Sequence, residues 1–325
     1  MYLVTGGLGF IGSNIVNLLT SIGQKVVVCD NLNSKAQINY ISSSKVSDFI
    51  SIKDLKKFLG NNKNIEFIIH MGANSSTIEK NGNLIWEQNV LSTLKLWNYC
   101  TINNIRFMYA SSAATYGNGN KGFVDNDNLQ DLYDLQPLNL YGWTKYISDY
   151  RMAAMALKEF SPPQWIGLKF FNVYGPNEYH KGYMRSVVNK AFEEYQNKGY
   201  ITLYKSHNKD YEDGKQMRDF IYIKDCLKIM LWMINKNTIS GIFNCGTGKA
   251  KSFLDLSNAI FSAVNKKTKV NFIDKPREIR NNYQYFTEAE MSKLTDNGYN
   301  NKFFSLESGV KDYIQKYLLP EKIHK

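Results

Sequence analysis

The sequence predicts an α/β protein: a doubly wound parallel sheet accompanied by a smaller α/β lobe. Three observations carry the prediction. Short apolar runs alternate with helical patterns through the first half of the chain. A turn with glycines three residues apart joins the first apolar run to the first helical pattern. After Phe171 the rhythm breaks and the loops lengthen.

The strand candidates are Tyr2–Thr5, Lys25–Asp30, Ile65–His70, Ile105–Ser111 and Trp165–Phe171. They are rich in Val, Ile and Phe, and most are apolar without alternation, as strands buried on both faces are. Helical stretches lie between them at Ile11–Ile22, Lys53–Leu59, Leu84–Asn103 and Leu140–Phe160. Pro162-Pro163 is expected to end the last of these, since proline lacks an N–H and its ring clashes with the preceding turn. The polar stretch Ser206–Gln216 reads as a loop. A helix near Ile223–Ile234 and a strand at Ile242–Cys245 then return to the sheet. The expected division is 1–171 plus about 218–246 for the domain of the large sheet and 172–217 plus about 247–320 for the smaller lobe. The tail Leu318–Lys325 is expected to fray.

Composition bounds the function. A length of 325 residues leaves room for roughly two domains. Hydrophobic residues make up 43% and charged residues 21%, ordinary for a globular chain and unlike a disordered or collagenous one. The excess of 40 Lys+Arg over 29 Asp+Glu raises nucleic-acid binding as a reading, yet only six of the 40 are Arg. Bidentate Arg is the usual reader of phosphate, so no nucleic-acid partner is expected and anionic small molecules are the better class. Cys29, Cys100, Cys226 and Cys245 form no C-x-x-C pair and no disulfide framework, so reduced, buried thiols are expected. His70, His180, His207 and His324 show no metal-ligand spacing, and no metal is expected. The first residues already read as a strand without a basic leader, and no run of about 18 apolar residues could span a membrane. A cytoplasmic location, with no membrane partner, follows by elimination.

The glycine turn is Thr5-Gly-Gly-Leu-Gly-Phe-Ile-Gly12. Gly6 permits a tight turn, Gly9 lets the backbone approach a pyrophosphate, and Gly12 lets the helix sit close to the strand. Phe10 and Ile11 then open a helix whose N-terminus offers N–H groups and partial positive charge to phosphates. Asp30 closes the second strand 18 residues after Gly12, where a carboxylate reaches ribose hydroxyls. Asp30 favours NAD by repelling a 2′-phosphate, while Asn31 and Lys35 soften that repulsion, so the residues alone leave NAD and NADP open.

Tyr-x-x-x-Lys occurs twice, at Tyr141/Lys145 and Tyr211/Lys215. The second pair sits in a polar loop with no reason to be helical. The first opens a long helical pattern, where residues four apart share a face. A free tyrosine, with a pKa of about 10, is a poor base at neutral pH. A nearby ammonium and a cationic nicotinamide both favour the phenolate. Lys145 can also hold the nicotinamide ribose, while Tyr141 takes a hydroxyl proton as hydride leaves for the cofactor. Ser112, in Ser111-Ser112-Ala-Ala-Thr-Tyr-Gly117, follows the fifth strand at the carboxyl end where ligands bind in such sheets. It is the choice for orienting the substrate hydroxyl, with Ser111 and Thr115 as substitutes.

The glycine turn, serine loop and Tyr-Lys pair in this order resemble the extended short-chain dehydrogenase/reductases, Rossmann-fold enzymes acting on nucleotide sugars. Phe171-Asn-Val-Tyr-Gly-Pro176 and Arg218-Asp-Phe-Ile-Tyr-Ile-Lys-Asp225 share that pattern. More specific are Tyr109-Ala-Ser-Ser-Ala-Ala-Thr-Tyr-Gly117, His180-Lys-Gly182, Ser240-Gly-Ile-Phe-Asn-Cys-Gly-Thr-Gly248 and Tyr283-Gln-Tyr-Phe-Thr287. These resemble the ADP-L-glycero-D-manno-heptose 6-epimerase family, over nearly the whole chain.

The resemblance implies an isomerase that inverts C6 of the heptose in an ADP-sugar, a precursor for the lipopolysaccharide core. It implies a tightly bound nicotinamide cofactor, usually NADP with NAD the alternative, and a homo-oligomer. The C6 hydroxyl is oxidised to a ketone and the same hydride returns to the other face. Tyr141 and Lys181 match the family's two acid/base groups. Met71, Gly72, Ala73, Asn74, Asn89 and Val173, with Lys145 and Lys181, fall along the cofactor. Asn172, Tyr183, Lys190, Tyr204, Arg218 and Tyr283, with Ser112, fall where the family contacts the ADP-sugar. Arg218 suits a diphosphate, being permanently charged and forked. There are departures. Two cofactor-holding lysines of the family align with Gln37 and Ile52, with Lys35 and Lys53 nearby. Tyr183 and Arg185 replace small residues and Lys190 replaces a His, all on the substrate side. A UDP-hexose 4-epimerase would use the same Ser112, Tyr141 and Lys145 without Lys181. A dehydratase typically carries an acidic pair where this chain has Ala113-Ala114. A non-catalytic cofactor sensor usually loses the tyrosine or the lysine, and both are kept.

Overall fold

A computed structural model describes residues 1–31, 35–276, 280 and 283–320, with Lys35 and Ala36 described by their backbone alone. The side chain of Lys35, and His324, therefore lie outside the described residues. In chain order the strands are β1 (Tyr2–Thr5), β2 (Val26–Asp30), β3 (Asp48–Ser51), β4 (Phe67–His70), β5 (Arg106–Ser112), β6 (Trp165–Phe170), β7 (Asn172–Tyr174), β8 (Ile201–Tyr204), β9 (Met217–Arg218), β10 (Phe220–Tyr222), β11 (Gly241–Cys245), β12 (Lys251–Ser252) and β13 (Val270–Ile273). The longer helices are α1 (Phe10–Ser21), α2 (Leu55–Asn61), α3 (Ser92–Ile102), α4 (Leu140–Ala156), α5 (Val187–Lys198), α6 (Ile223–Asn235), α7 (Phe253–Ala263) and α8 (Leu306–Tyr313). The chain forms two compact units, Met1–Phe170 with Ile229–Asn244, and Phe171–Lys228 with the chain from Cys245.

The first unit holds a seven-stranded sheet in the order β11-β6-β5-β4-β1-β2-β3. Neighbours from β3 through β6 pair in parallel. Every residue of β1, β4 and β6 is buried, which is why β1 and β4 read as nearly continuous apolar runs, while β6 buries Lys169 among its apolar residues. β3 escapes the sequence reading because it is a short edge strand with no fully buried residue. The register sets Thr5 beside His70 and His70 beside Tyr109, so the loops after β1, β4 and β5 leave from one edge of the sheet.

Two helix boundaries differ from expectation. The stretch expected as one helix over Leu84–Asn103 begins as a short turn at Gly82–Ile85, passes through a π-helical segment at Trp86–Leu91 and continues as α3. The helix expected to reach Phe160 ends at Ala156. Glu159, at φ 60°, turns the chain there, so Pro162 lies beyond a helix that has already closed.

In the second unit β7 pairs with β10 and β8 with β13 in parallel, and β9 pairs with β12 antiparallel. The β7–β10 pairing groups Arg218–Lys228 with this unit, and the boundary falls inside α6. Asp219, fully buried, accepts from the Thr247, Gly248 and Ala289 N–H groups and the Thr247 hydroxyl. Tyr174 stacks on Tyr222 at 5.2 Å between ring centroids and faces Tyr313 at 6.4 Å. Ser252 and Asp255 form a reciprocal cap on α7. The tail holds longer than expected: Leu318 is buried at the end of a π-helical turn, Ile314–Leu318, because it packs as the last apolar residue of that turn. Residues 321–325 lie outside the described residues.

Candidate active site

The glycine turn is built by close approach. Gly6 sits at φ +66°, and a methyl group there would lie 2.4 Å from the Gly72 nitrogen. A methyl on Gly12 would lie 2.0 Å from the Gly6 carbonyl oxygen. Gly9 donates to Gly6 O, and Ser13 N donates to Gly9 O at 2.9 Å. No side chain caps α1, whose first residues are Phe10 and Ile11. The Asp30 carboxylate accepts from Leu8 N at 2.9 Å and from Asn31 N at 2.7 Å. These bonds draw the Asp30 carboxyl down, while burial, the larger effect, pushes it up. A cradle that a Cβ would fill, a helix start without a side-chain cap and a carboxylate pinned beside it fit a dinucleotide. Gly12→Ala is accordingly expected to strip the purified protein of bound nicotinamide, read as the cofactor released on acid extraction, and to lower Tm.

Met71, Gly72, Ala73 and Asn74 follow β4. Met71 N donates to Thr5 O at 3.0 Å, tying this loop to the end of β1. Buried Asn89 accepts from Asn74 N at 2.8 Å and donates to Asn74 O and to Thr144 Oγ1, each at 3.0 Å. It therefore joins the Met71–Asn74 loop to the first turn of α4. His70 Nδ1 lies 2.6 Å from Thr5 Oγ1 and its Nε2 lies 3.2 Å from Thr93 Oγ1. Burial, then the charge of Lys145, pushes His70 down to about 3, so it stays neutral.

Ser112, Tyr141 and Lys145 come together where β5 meets the start of α4. The Asn139 side chain caps α4 by accepting from Gly142 N, one residue after Tyr141. The Ser112 side chain lies near enough to the Tyr141 phenol to draw it down and accepts from Ala114 N at 3.1 Å. Lys145 is buried, donates to Ala110 O at 2.7 Å, and lies 5.9 Å from the Tyr141 ring centroid. Burial pushes the Lys145 ammonium down to about 8, against the pull of Asp149. The Tyr141 phenol is pushed up by burial, drawn down by Ser112 and raised again by Asp149. The sequence suggested that the ammonium would act directly on the phenol. Here the ammonium donates to the Ala110 carbonyl while standing 5.9 Å from the Tyr141 ring centroid, and Ser112 also draws the phenol down. Ser111 and Thr115 are engaged elsewhere, with Asp149 and Lys169. The second Tyr-x-x-x-Lys pair, Tyr211/Lys215, lies outside any helix.

The second unit carries the remaining residues. Lys181 lies in the 3-10 segment Tyr179–Met184. Burial holds its ammonium below the usual range, Glu178 pulls it back up, and Lys190 lowers it further. Glu178, fully buried, accepts from the Ser186 hydroxyl at 2.8 Å and the Tyr313 hydroxyl at 3.0 Å. It pins this segment, and the sequence reading missed it. Tyr183 is exposed and its carbonyl accepts from Lys190 Nζ at 3.2 Å. Arg185 donates to Gly182 O at 2.7 Å, to Asn189 Oδ1 at 2.9 Å and to Glu193 Oε2 at 2.7 Å. Arg218 lies 5.5 Å over the Tyr283 ring and donates to the Gln284 carbonyl. Buried Lys275 lies between the Tyr283 and Tyr285 rings and donates to the Tyr285 hydroxyl at 2.9 Å. The Tyr204 carbonyl accepts from Gln216 at 3.4 Å. Asn172 and Val173 stand on β7 opposite Phe220 and Ile221.

Among the described residues no group of His, Cys, Asp or Glu is arranged to hold a metal, and no helix is long and apolar enough to cross a membrane. Residues 2–246 match the NAD dependent epimerase/dehydratase family. The ADP-L-glycero-D-manno-heptose-6-epimerase of Fusobacterium nucleatum is 44% identical over 99% of each chain. The crystal structure of the Helicobacter pylori ADP-L-glycero-D-manno-heptose-6-epimerase superposes with a TM-score of 0.78 at 27% identity, covering 99% of this chain and 96% of that one. A UDP-glucuronic acid 4-epimerase from Bacillus cereus, in complex with NAD, matches with a TM-score of 0.75 at 26% identity over 97% of this chain and 99% of that one.

Proposed function

This chain belongs to the ADP-L-glycero-D-manno-heptose-6-epimerase family of nucleotide-sugar epimerases, and from that premise we propose how its residues invert C6 of an ADP-heptose. The observation that carries the reading is the convergence of Ser112, Tyr141 and Lys145 where β5 meets the start of α4, with Lys145 donating to Ala110 O and lying 5.9 Å from the Tyr141 ring centroid.

Ser112 orients the C6 hydroxyl toward Tyr141, and Tyr141 accepts its proton. A bound oxidised nicotinamide would supply the hydride acceptor and donor for C6, and its positive charge would favour the Tyr141 phenolate. Lys145 holds the ribose and, through the Ala110 carbonyl, keeps the end of β5 against α4. Lys181 serves as the acid/base group for the opposite face, since one group on one side of a ketone cannot easily serve both. Arg218, with Tyr283 beneath its guanidinium, takes the diphosphate. Asn172, Tyr183, Lys190 and Tyr204 complete the sugar-nucleotide contacts.

The cofactor is a nicotinamide dinucleotide. We assign NADP, held tightly through turnover, on the family resemblance, while the doubly bonded Asp30 carboxylate favours NAD. The protein is a cytoplasmic homo-oligomer on this reading. The test is proton NMR of ADP-D-glycero-D-manno-heptose with the purified protein and no added cofactor. Equilibration to the L-glycero epimer is expected, and acid extraction of the same sample should release NADP. No conversion, even with NADP or NAD supplied, would move the substrate to another nucleotide sugar.

A further inference from the structure

Beneath the Ser112–Tyr141–Lys145 cluster lies an ion pair that the chemistry above does not use. Asp149 and Lys169 are both fully buried, with their charged atoms 2.7 Å apart. A buried ion pair adds little stability over an apolar pair of the same volume, so its location calls for another reason.

The partners of the pair converge on Ser112. Asp149 follows Lys145 by four residues on α4, as Lys145 follows Tyr141, so all three share a helix face. Three consecutive residues of β5 answer them: Ala110 O accepts from Lys145, the Ser111 hydroxyl donates to Asp149 Oδ2 at 2.6 Å, and Ser112 stands near enough to Tyr141 to draw its phenol down. The Tyr109 hydroxyl donates to the other Asp149 oxygen at 2.9 Å. From β6, Lys169 also donates to Thr115 Oγ1 at 2.6 Å, and Thr115 donates to the Ser112 carbonyl at 2.9 Å. One charge thus grips the residue before Ser112, and the other grips its carbonyl through Thr115.

We propose that Asp149 and Lys169 are a positioning pair for the reaction, fixing Ser112 against Tyr141 and balancing the charge beside Tyr141 and Lys145. The proposal rests on the reading of Tyr141 as the acid/base group. Asp149 raises both the Tyr141 phenol and the Lys145 ammonium, and Lys169 offsets that charge. The other titratable groups around the cluster are His70, held neutral, and the buried phenols Tyr109 and Tyr116, both pushed up by burial, with Asp125 facing Tyr116 and Asp127 facing Tyr109.

The test is the kcat–pH profile of the cofactor-loaded enzyme. Asp149→Asn is expected to shift the bell to lower pH and Lys169→Met to higher pH, each on the order of one unit. KM for the ADP-sugar should stay unchanged, because neither side chain is placed on the substrate. Lys169→Arg, which keeps the charge, should restore the wild-type profile. A merely structural role would lower Tm and move neither limb, and profiles that do not shift in the folded single variants overturn the proposal. If a stranded buried charge prevents folding, Asp149→Asn/Lys169→Met strands none. That variant should fold with kcat reduced about tenfold or more through misplacement of Ser112, and wild-type kcat in it overturns the proposal. Tyr141→Phe is the control: full turnover there would overturn the site reading itself, which is a different failure.

Discussion

Tyr141→Phe is expected to lower kcat for epimerisation by about 10³-fold while leaving KM for the ADP-sugar and the bound cofactor nearly unchanged. The phenol oxygen is the only atom removed, and Ser112 is the side chain that draws the phenol down. Tyr141 is half-buried at the first turn of α4, so the change opens no deep cavity and Tm should move little. The wild-type profile is expected to fall above about pH 8, where the buried Lys145 loses its proton. The sign follows from the direction of that shift. Burial depresses the Lys145 ammonium, so its charge is fully present below that pH and absent well above it. Steady-state kinetics across pH, paired with thermal melts, checks both statements. A Phe variant with more than a tenth of wild-type kcat would remove Tyr141 from the chemistry.

Lys181→Ala is expected to lower product formation by about 10²-fold or more while sparing the first oxidation, which uses Tyr141. Mixing the variant with ADP-D-glycero-D-manno-heptose should therefore still raise the reduced-nicotinamide absorbance in a single turnover. Little L-glycero product should follow, because the proton for the second face is missing. Burial already weakens the hold of the Lys181 ammonium on its proton, with Glu178 opposing, which suits a group that must both give and take a proton. A 4-epimerase mechanism, working from one base, predicts wild-type turnover in the same variant. Unchanged product formation would accordingly leave Tyr141 as the sole acid/base group.

Much of this site is legible without coordinates because its signals are local. Gly6, Gly9 and Gly12 lie within seven residues, and the steric reason for them, contact with the Gly6 carbonyl and with Gly72, is the reason that spacing is informative. Tyr141 and Lys145 share a helix face through the helical period alone. The nearly continuous apolar runs of β1 and β4 report burial on both faces. The failures are local too. β3 has only Phe49 and Ile50 between Asp48 and Ser51, too short an apolar stretch to stand out at the sheet edge, and α4 stops before the prolines, where Glu159 adopts a left-handed turn.

What the sequence by itself determined is the class of sheet, the close-packed glycine turn after β1 and the placing of Tyr141 and Lys145 on one helix, each written in residues a few positions apart. Only the tertiary structure decided that Ser111 is taken by Asp149 and Thr115 by Lys169, leaving Ser112 nearer the phenol, because that depends on what lies against each side of β5. It alone brought Lys169 to Asp149, 20 residues away on another element, and Tyr313 to Glu178 across 135 residues. A buried charge looks like any other Lys or Asp in a sequence. Its partner is chosen by strand order and helix packing, which no local period encodes.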